Sequence, residues 1–161
     1  MDNEIRAAVL TISDTRTFET DISGARIETL LKEFGAAEIE RLLSSDDFES
    51  IRQMLLSICE TDVNLAITTG GTGFAPRDNT PEATLAVVEK VIPGIPEAIR
   101  AESAKHTKFA MISRAACGIR NGTLIINFPG SAKGVEQCFE VIRPILAHSI
   151  DLISGRGKHG E

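Results

Sequence analysis

The sequence predicts an α/β fold on a mostly parallel sheet. Short apolar runs rich in Val and Ile alternate with longer stretches whose apolar residues recur at helical spacing. The runs end in polar or glycine-bearing turns, and no internal repeat, low-complexity segment or interdomain linker breaks the series. A length of 161 residues suits one domain with a sizeable core. Residues 1–154 are read as that domain and 155–161 as a flexible C-terminal tail.

Residues 5–12 (IRAAVLTI) are a buried strand stopped by Ser13-Asp14. Residues 22–34 follow as a helix, with Ile22, Ala25, Leu30 and Phe34 at helical spacing and Gly35 as the stop. Residues 37–43 form a second strand of alternating charge. Ser44-Ser45-Asp46-Asp47 is then an acidic entrance to a helix over 48–59. A third strand, 63–68, opens onto Thr69-Gly70-Gly71-Thr72-Gly73. Thr80-Pro81-Glu82 starts the next helix, with Thr80 as N-cap, Pro81 at the first helical position and Glu82 facing the dipole. A helix over 95–104 follows Pro93-Gly94, and 108–112 are assigned to a fourth strand. A fifth strand covers 123–128, entered by a tight Asn121-Gly122 turn. The last helical stretch runs to 153, kinked or restarted at Pro144.

Composition excludes several classes. A formal net charge of −6 disfavours a duplex nucleic-acid partner, which needs a basic face. No apolar run approaches a membrane span, and the opening MDNEIRAAVL lacks a signal-peptide layout. Cys59, Cys117 and Cys138 are scattered in apolar company, as in a reduced cytoplasmic protein. With no Trp or Tyr and seven Phe, an aromatic cage is not expected.

In a parallel sheet, ligands sit beyond the carboxyl ends of the strands. The turns at Ser13-Asp14, Asp46-Asp47, residues 70–78, Ser113-Arg114 and residues 129–133 should therefore share one rim. The glycine turn lets backbone approach a ligand and face N–H groups toward an anion. It lacks the Gly-Lys-Ser/Thr ending of a P-loop and the third glycine of the dinucleotide fingerprint. A carboxylate beside an anion cradle repels the anion unless a cation lies between them. Mg²⁺ held by one or two carboxylates plus phosphate oxygens meets that need. Each like-charge contact at about 4 Å costs on the order of 4 kcal/mol at an effective dielectric near 20. A helix N-terminus returns roughly 0.3–1 kcal/mol. Asp78, with Asp46 or Asp47, therefore reads as a metal ligand. The plainer alternative is that these aspartates only cap helices.

Pro129-Gly130-Ser131-Ala132-Lys133 is a second turn suited to a phosphate or a polar heterocycle, or else a surface loop with a solvated lysine. Asn127 lies in an apolar strand, so its amide either satisfies buried polar groups or faces a ligand. His106, His148 and His159 lack metal-ligand spacing, and no Ser, His and Asp form a nucleophile pattern. Phosphoryl or nucleotidyl transfer needs neither a covalent nucleophile nor a redox group, and it fits this inventory.

TTGGTGFAPRDNTPEAT, with ISRAACGIRNGTLIINFPGSAKG downstream, resembles the molybdopterin adenylyltransferases: the Mog-type bacterial proteins, the plant Cnx G domain and the gephyrin G domain. The similarity extends from TISD at 11–14 to AHSIDL at 147–152. It implies a three-layer α/β sandwich (the Mog-like fold), a homotrimer and a Mg²⁺-dependent transfer of AMP from ATP to molybdopterin with release of pyrophosphate. A molybdenum-inserting partner protein would accept the product. The resemblance puts the two carboxylates needed for turnover, also the Mg²⁺ ligands through phosphates, at Asp78 and Asp46. The missing proline of the family's Pro-Asp-Asp entrance leaves Asp47 open. By the same resemblance Ser113 is linked with the pterin. Pro129, Gly130, Ser131 and Lys133, headed by Asn127, match a substrate segment. Gly70, Gly71, Thr72, Gly73, Ser13 and Asp14 match the remaining rim. The rivals are a non-catalytic molybdopterin-binding module of MoaB type and a generic nucleotide-binding α/β protein.

Overall fold

Odd- and even-numbered residues of the strands pack into two separate cores, and that alternation fixes the layers. In the computed structural model, which describes residues 4–157, β1 (Arg6–Ile12) sends Ala7 and Val9 to one core and Ala8, Leu10 and Ile12 to the other. β3 (Leu65–Thr69) and β6 (Thr123–Phe128) divide in the same way, Leu65, Ile67, Leu124 and Ile126 against Ala66 and Ile125. Strands covered on both faces need near-continuous apolar sequence, which is why these runs stand out. α1 (Ile22–Phe34), α4 (Gly94–Ser103) and α5 (Ala132–Ile153) cover the first face. α2 (Phe48–Cys59) and α3 (Thr80–Val87) cover the second, completing a three-layer sandwich. No helix among the described residues is long and apolar enough to cross a membrane.

With β2 (Glu38–Ser44), β4 (Lys90–Val91) and β5 (Cys117–Arg120), the sheet order is β2-β1-β3-β6-β5-β4. The pairs β1–β2, β1–β3 and β3–β6 are parallel, and β5 and β4 continue the sheet antiparallel. The chain leaves β1 for β2 on one side and returns to β3 on the other. The connections therefore part at the carboxyl ends of β1 and β3, the position where such sheets form a crevice.

Several elements depart from the sequence reading. Residues 108–112 are a 3₁₀ helix, not a strand; Thr107 accepts from the Phe109 N–H, and Phe109 and Met111 are exposed. The antiparallel partner of β6 is instead the short β5, joined to it through Asn121 and Gly122, both at positive φ. Thr80 does not cap α3. Its hydroxyl donates to the Gly70 carbonyl at 2.9 Å from a buried position, while Asn79 takes the capping position without a side-chain bond. α5 runs unbroken through Pro144. The carbonyl four residues back belongs to Glu140 on the exposed side, where water can replace the missing bond. Of the tail 155–161, residues 155–157 fold back onto the end of α5, where the Arg156 and Gly157 N–H groups both donate to the Asp151 carbonyl. The rest of that tail, with His159, lies outside the described residues.

Candidate active site

Each parallel strand delivers one loop to the same rim. β1 ends in Ser13-Asp14, β2 in Asp46-Asp47, β3 in the glycine turn and β6 in Pro129-Gly130-Ser131. Asp47 is the N-cap of α2, accepting from the Ser50 N–H at 2.9 Å. That accounts for Asp47 as a cap and leaves Asp46 for other contacts. Asp14 and Asp46 hold each other reciprocally: the Asp14 N–H donates to Asp46 Oδ2 at 2.9 Å, and the Asp46 N–H donates to Asp14 Oδ1 at 3.0 Å. The Asn79 amide donates to the Asp46 carbonyl at 2.9 Å, tying this loop to the start of α3.

The glycine turn is open because its glycines carry no side chains toward the acids. Gly70 and Gly71 have φ of 101° and 69°. A Cβ on Gly71 would lie 3.5 Å from Asp46 Oδ1, and one on Gly73 would lie 2.9 Å from Asp78 Oδ2. Asp78 Oδ2 also accepts from the Ala75 N–H at 2.9 Å. The Gly70 N–H donates to the Phe128 carbonyl, and Thr72 is buried. Among the described residues the N–H groups of Gly71, Thr72 and Gly73 donate to no atom of the chain. We expect Gly70→Ala to lose about 2–4 kcal/mol, combining left-handed strain with overpacking. The added Cβ would stand 2.5 Å from the Ile12 carbonyl oxygen, a backbone atom that cannot swing away. Urea denaturation of the variant checks this.

Charge at the rim is unbalanced. Burial pushes the Asp46 carboxyl above its ordinary value, and the charges of Asp14 and Asp78 push it further. Asp14 is held below its ordinary value, chiefly by the hydrogen-bonded Arg77 guanidinium. Among the described residues no three or more His, Cys, Asp or Glu side chains group in a metal-holding arrangement. Asp46 and Asp78 each have one oxygen anchored to a backbone N–H and the other unanchored. Such a pair suits a small divalent cation that takes its remaining ligands from phosphate and water. All three thiols are buried, and burial raises them, Cys117 and Cys138 to about 12, so none is poised as a nucleophile.

At the carboxyl end of β6 lies a cavity of about 300 Å³, lined by Thr107, Phe109, Ser113, Pro129, Ser131 and Gln137 among others. The Thr69 hydroxyl donates to the Pro129 carbonyl at 2.7 Å, and a Cβ added to Gly130 would lie 3.5 Å from the Gly70 Cα, so the cavity's Pro129 edge adjoins the glycine turn. Ser131 caps α5, accepting from the Gly134 N–H, and Lys133 stands exposed in the first turn of that helix. Asn127 lines this cavity, but its amide is used internally. It accepts from the Ala116 N–H and donates to the hydroxyls of Thr68 and Thr84. The strand amide is therefore a structural crosslink, not a free ligand edge. Ser13 similarly commits its hydroxyl to the Thr15 and Arg16 N–H groups.

Two arginines have roles that the sequence reading misses. Arg114 donates to the carbonyls of Gly73 and Asp78, each at 2.8 Å, and pairs with Glu82, so it clamps the glycine turn from outside. Arg77 pairs with Asp14 through two bonds, at 2.6 and 2.9 Å. The local hint is an arginine adjoining each of two candidate residues, Ser113 and Asp78.

Comparison with known proteins agrees with this architecture. Residues 8–148 match the family described as "Probable molybdopterin binding domain". The chain is 39% identical over 156 residues to the molybdopterin adenylyltransferase of Helicobacter pylori, spanning 94% of this chain and 89% of that protein. It is 43% identical over 153 residues to the molybdenum cofactor synthesis protein cinnamon of Drosophila melanogaster, covering 92% of this chain and 26% of that longer protein. A solved molybdenum cofactor biosynthesis protein B superposes with a TM-score of 0.90 at 36% identity, over 96% of this chain and 99% of that one.

Proposed function

Because this chain belongs to the molybdopterin-binding domain family, we propose that it is a molybdopterin adenylyltransferase, moving AMP from ATP to the terminal phosphate of molybdopterin. One observation carries the reading: the unanchored oxygens of Asp46 and Asp78 belong to carboxylates that both border the glycine turn, beside a cavity large enough for a heterocycle. In the reaction a terminal phosphate oxygen of molybdopterin forms a bond to the α-phosphorus of ATP, and the bond to pyrophosphate breaks. Two anionic groups must approach, so the chain has to orient them and offset their repulsion. Lys133 and the N–H groups of Gly71, Thr72 and Gly73 supply positive charge and donors. Ser113, Pro129, Gly130 and Ser131 border the pterin. Asp46 and Asp78 would hold Mg²⁺, which supplies charge neutralisation between the phosphates when bound.

A homotrimer in the cytoplasm, passing its product to a molybdenum-inserting protein, completes the proposal. Self-association has one physical support, an apolar groove of about 510 Å³ lined by Ile92, Ile95, Ile145 and Leu152 among others. The competing reading is a MoaB-type module that binds molybdopterin without transferring AMP; the chain is similar to a protein B of molybdenum cofactor biosynthesis as well as to an adenylyltransferase. Incubation of the protein with ATP, Mg²⁺ and molybdopterin decides between them. The adenylyltransferase releases one pyrophosphate per adenylyl-molybdopterin formed. A protein that binds molybdopterin and releases none is the module, and one that binds only ATP is a generic nucleotide binder.

A further inference from the structure

Asp14 lies at the rim, yet its carboxylate is directed wholly at its own chain. Oδ1 accepts from the Asp46 N–H at 3.0 Å and from Arg77 Nη2 at 2.9 Å, and Oδ2 accepts from Arg77 Nε at 2.6 Å. The Asp14 N–H meanwhile holds Asp46 Oδ2. Three loops, from the ends of β1, β2 and β3, are thus joined through one residue. The Arg77 side chain is 59% exposed and that of Asp14 37% exposed. Exposed pairs usually contribute at most about 1 kcal/mol, and the two-bond geometry adds directional specificity to whatever stability it brings.

What the pair does accomplish is directional. The Asp14 main-chain N–H ties down Oδ2 of Asp46, so the other oxygen is the one that borders Gly71. The Asp14 side chain, bonded to the Asp46 N–H and to Arg77, fixes where those two backbones meet. Arg77 also adjoins Asp78 in sequence, so the same guanidinium holds the loop bearing the second carboxylate. We propose that Asp14, with Arg77 as its counterion, is a positioning residue that sets the orientation of Asp46 toward the glycine turn, and is not itself a substrate ligand. The inference rests on the adenylyltransferase reading and refines one site within it. Supporting residues of this kind hold reactive groups to a narrow geometry, and their loss typically costs about 10–100-fold in metal affinity or activity.

The test compares wild type with Asp14→Ala, Asp14→Asn and Arg77→Gln. ATP binding is followed by calorimetry across a Mg²⁺ titration without molybdopterin, and turnover is measured separately. Asp14→Ala should raise the half-saturating Mg²⁺ concentration about tenfold and lower kcat, with molybdopterin affinity unchanged. Asp14→Asn keeps an acceptor for the Asp46 N–H and should recover part of the loss; Arg77→Gln should resemble it. A crystal structure of Asp14→Ala should show Asp46 turned from the glycine turn or spread over several rotamers. Unchanged Mg²⁺ dependence, or a loss of molybdopterin affinity in Asp14→Ala, overturns the proposal while active wild type keeps the enzyme reading. Wild type that neither binds Mg²⁺-ATP nor releases pyrophosphate overturns both.

Discussion

Asp78→Asn is expected to abolish most adenylyl transfer while leaving the fold and molybdopterin binding intact. The substitution is nearly isosteric, and the amide oxygen can still accept the Ala75 N–H that anchors this side chain. Arg114 binds the Asp78 carbonyl, a backbone atom the substitution does not touch. What disappears is a negative charge beside the glycine turn. Removing a single preorganised electrostatic group commonly costs about 10²–10³-fold in kcat, and a loss of at least that size is expected here. Pyrophosphate release under saturating ATP and molybdopterin measures it, with a thermal melt as the control for folding. Full activity in the variant would refute the metal-holding role of this carboxylate.

The second large effect is on stability. Asp21 is 3% exposed and sits at the far end of the loop that carries Asp14. It accepts from the Thr11 hydroxyl at 2.6 Å, the Gly24 N–H at 2.9 Å and Arg41 Nη2 at 2.9 Å, capping α1 while pairing with β2. Asp21→Ala removes the cap and strands Arg41, which is 20% exposed and keeps a longer contact to Glu28 at 3.6 Å. Lost caps cost about 1 kcal/mol, and breaking a buried pair costs about 3–5 kcal/mol. The remaining Glu28 contact favours the lower part of that range, so a loss of about 3 kcal/mol at neutral pH is expected. Burial alone would raise the Asp21 carboxyl. The hydroxyl, the guanidinium and the N–H together outweigh it and hold the carboxyl below its ordinary value of 3.8. Folding thus favours the ionised form, and the stabilisation is fully present above that value and fades as pH falls through the lower folded one. Urea titrations should show wild type and variant well separated at pH 7 and converging in strong acid. A constant gap across pH would mean that the charge is not the source.

The central strands were legible because burial on both faces demands unbroken apolar sequence, as in residues 65–69. The same logic misassigned residues 108–112, whose composition is strand-like although Phe109 and Met111 face outward. β5 was invisible for the opposite reason, being four residues long with a glycine inside it. A Cβ on that Gly118 would meet the Lys90 carbonyl oxygen at 2.6 Å, a close approach no local pattern encodes. At the rim, Asp78 could be singled out because it follows the glycine turn, and Asp46, with Asp47 open, because its segment resembles the family's acidic helix entrance. Their supports could not. The Asp14–Arg77 pair spans 63 positions, and the contacts of Arg114 reach back 36 and 41. Such links exist only after the sheet has brought its strand ends together.

The Thr69–Pro129 bond, with Gly130 so near Gly70 that an added Cβ would lie 3.5 Å from the Gly70 Cα, ties the glycine turn to the loop that follows β6. Two loops tied together in this way have less freedom to lose when a ligand binds between them, so more of the entropic toll of association falls on the ligand. Affinity should then be governed by desolvation and charge, with little cost from loop rearrangement.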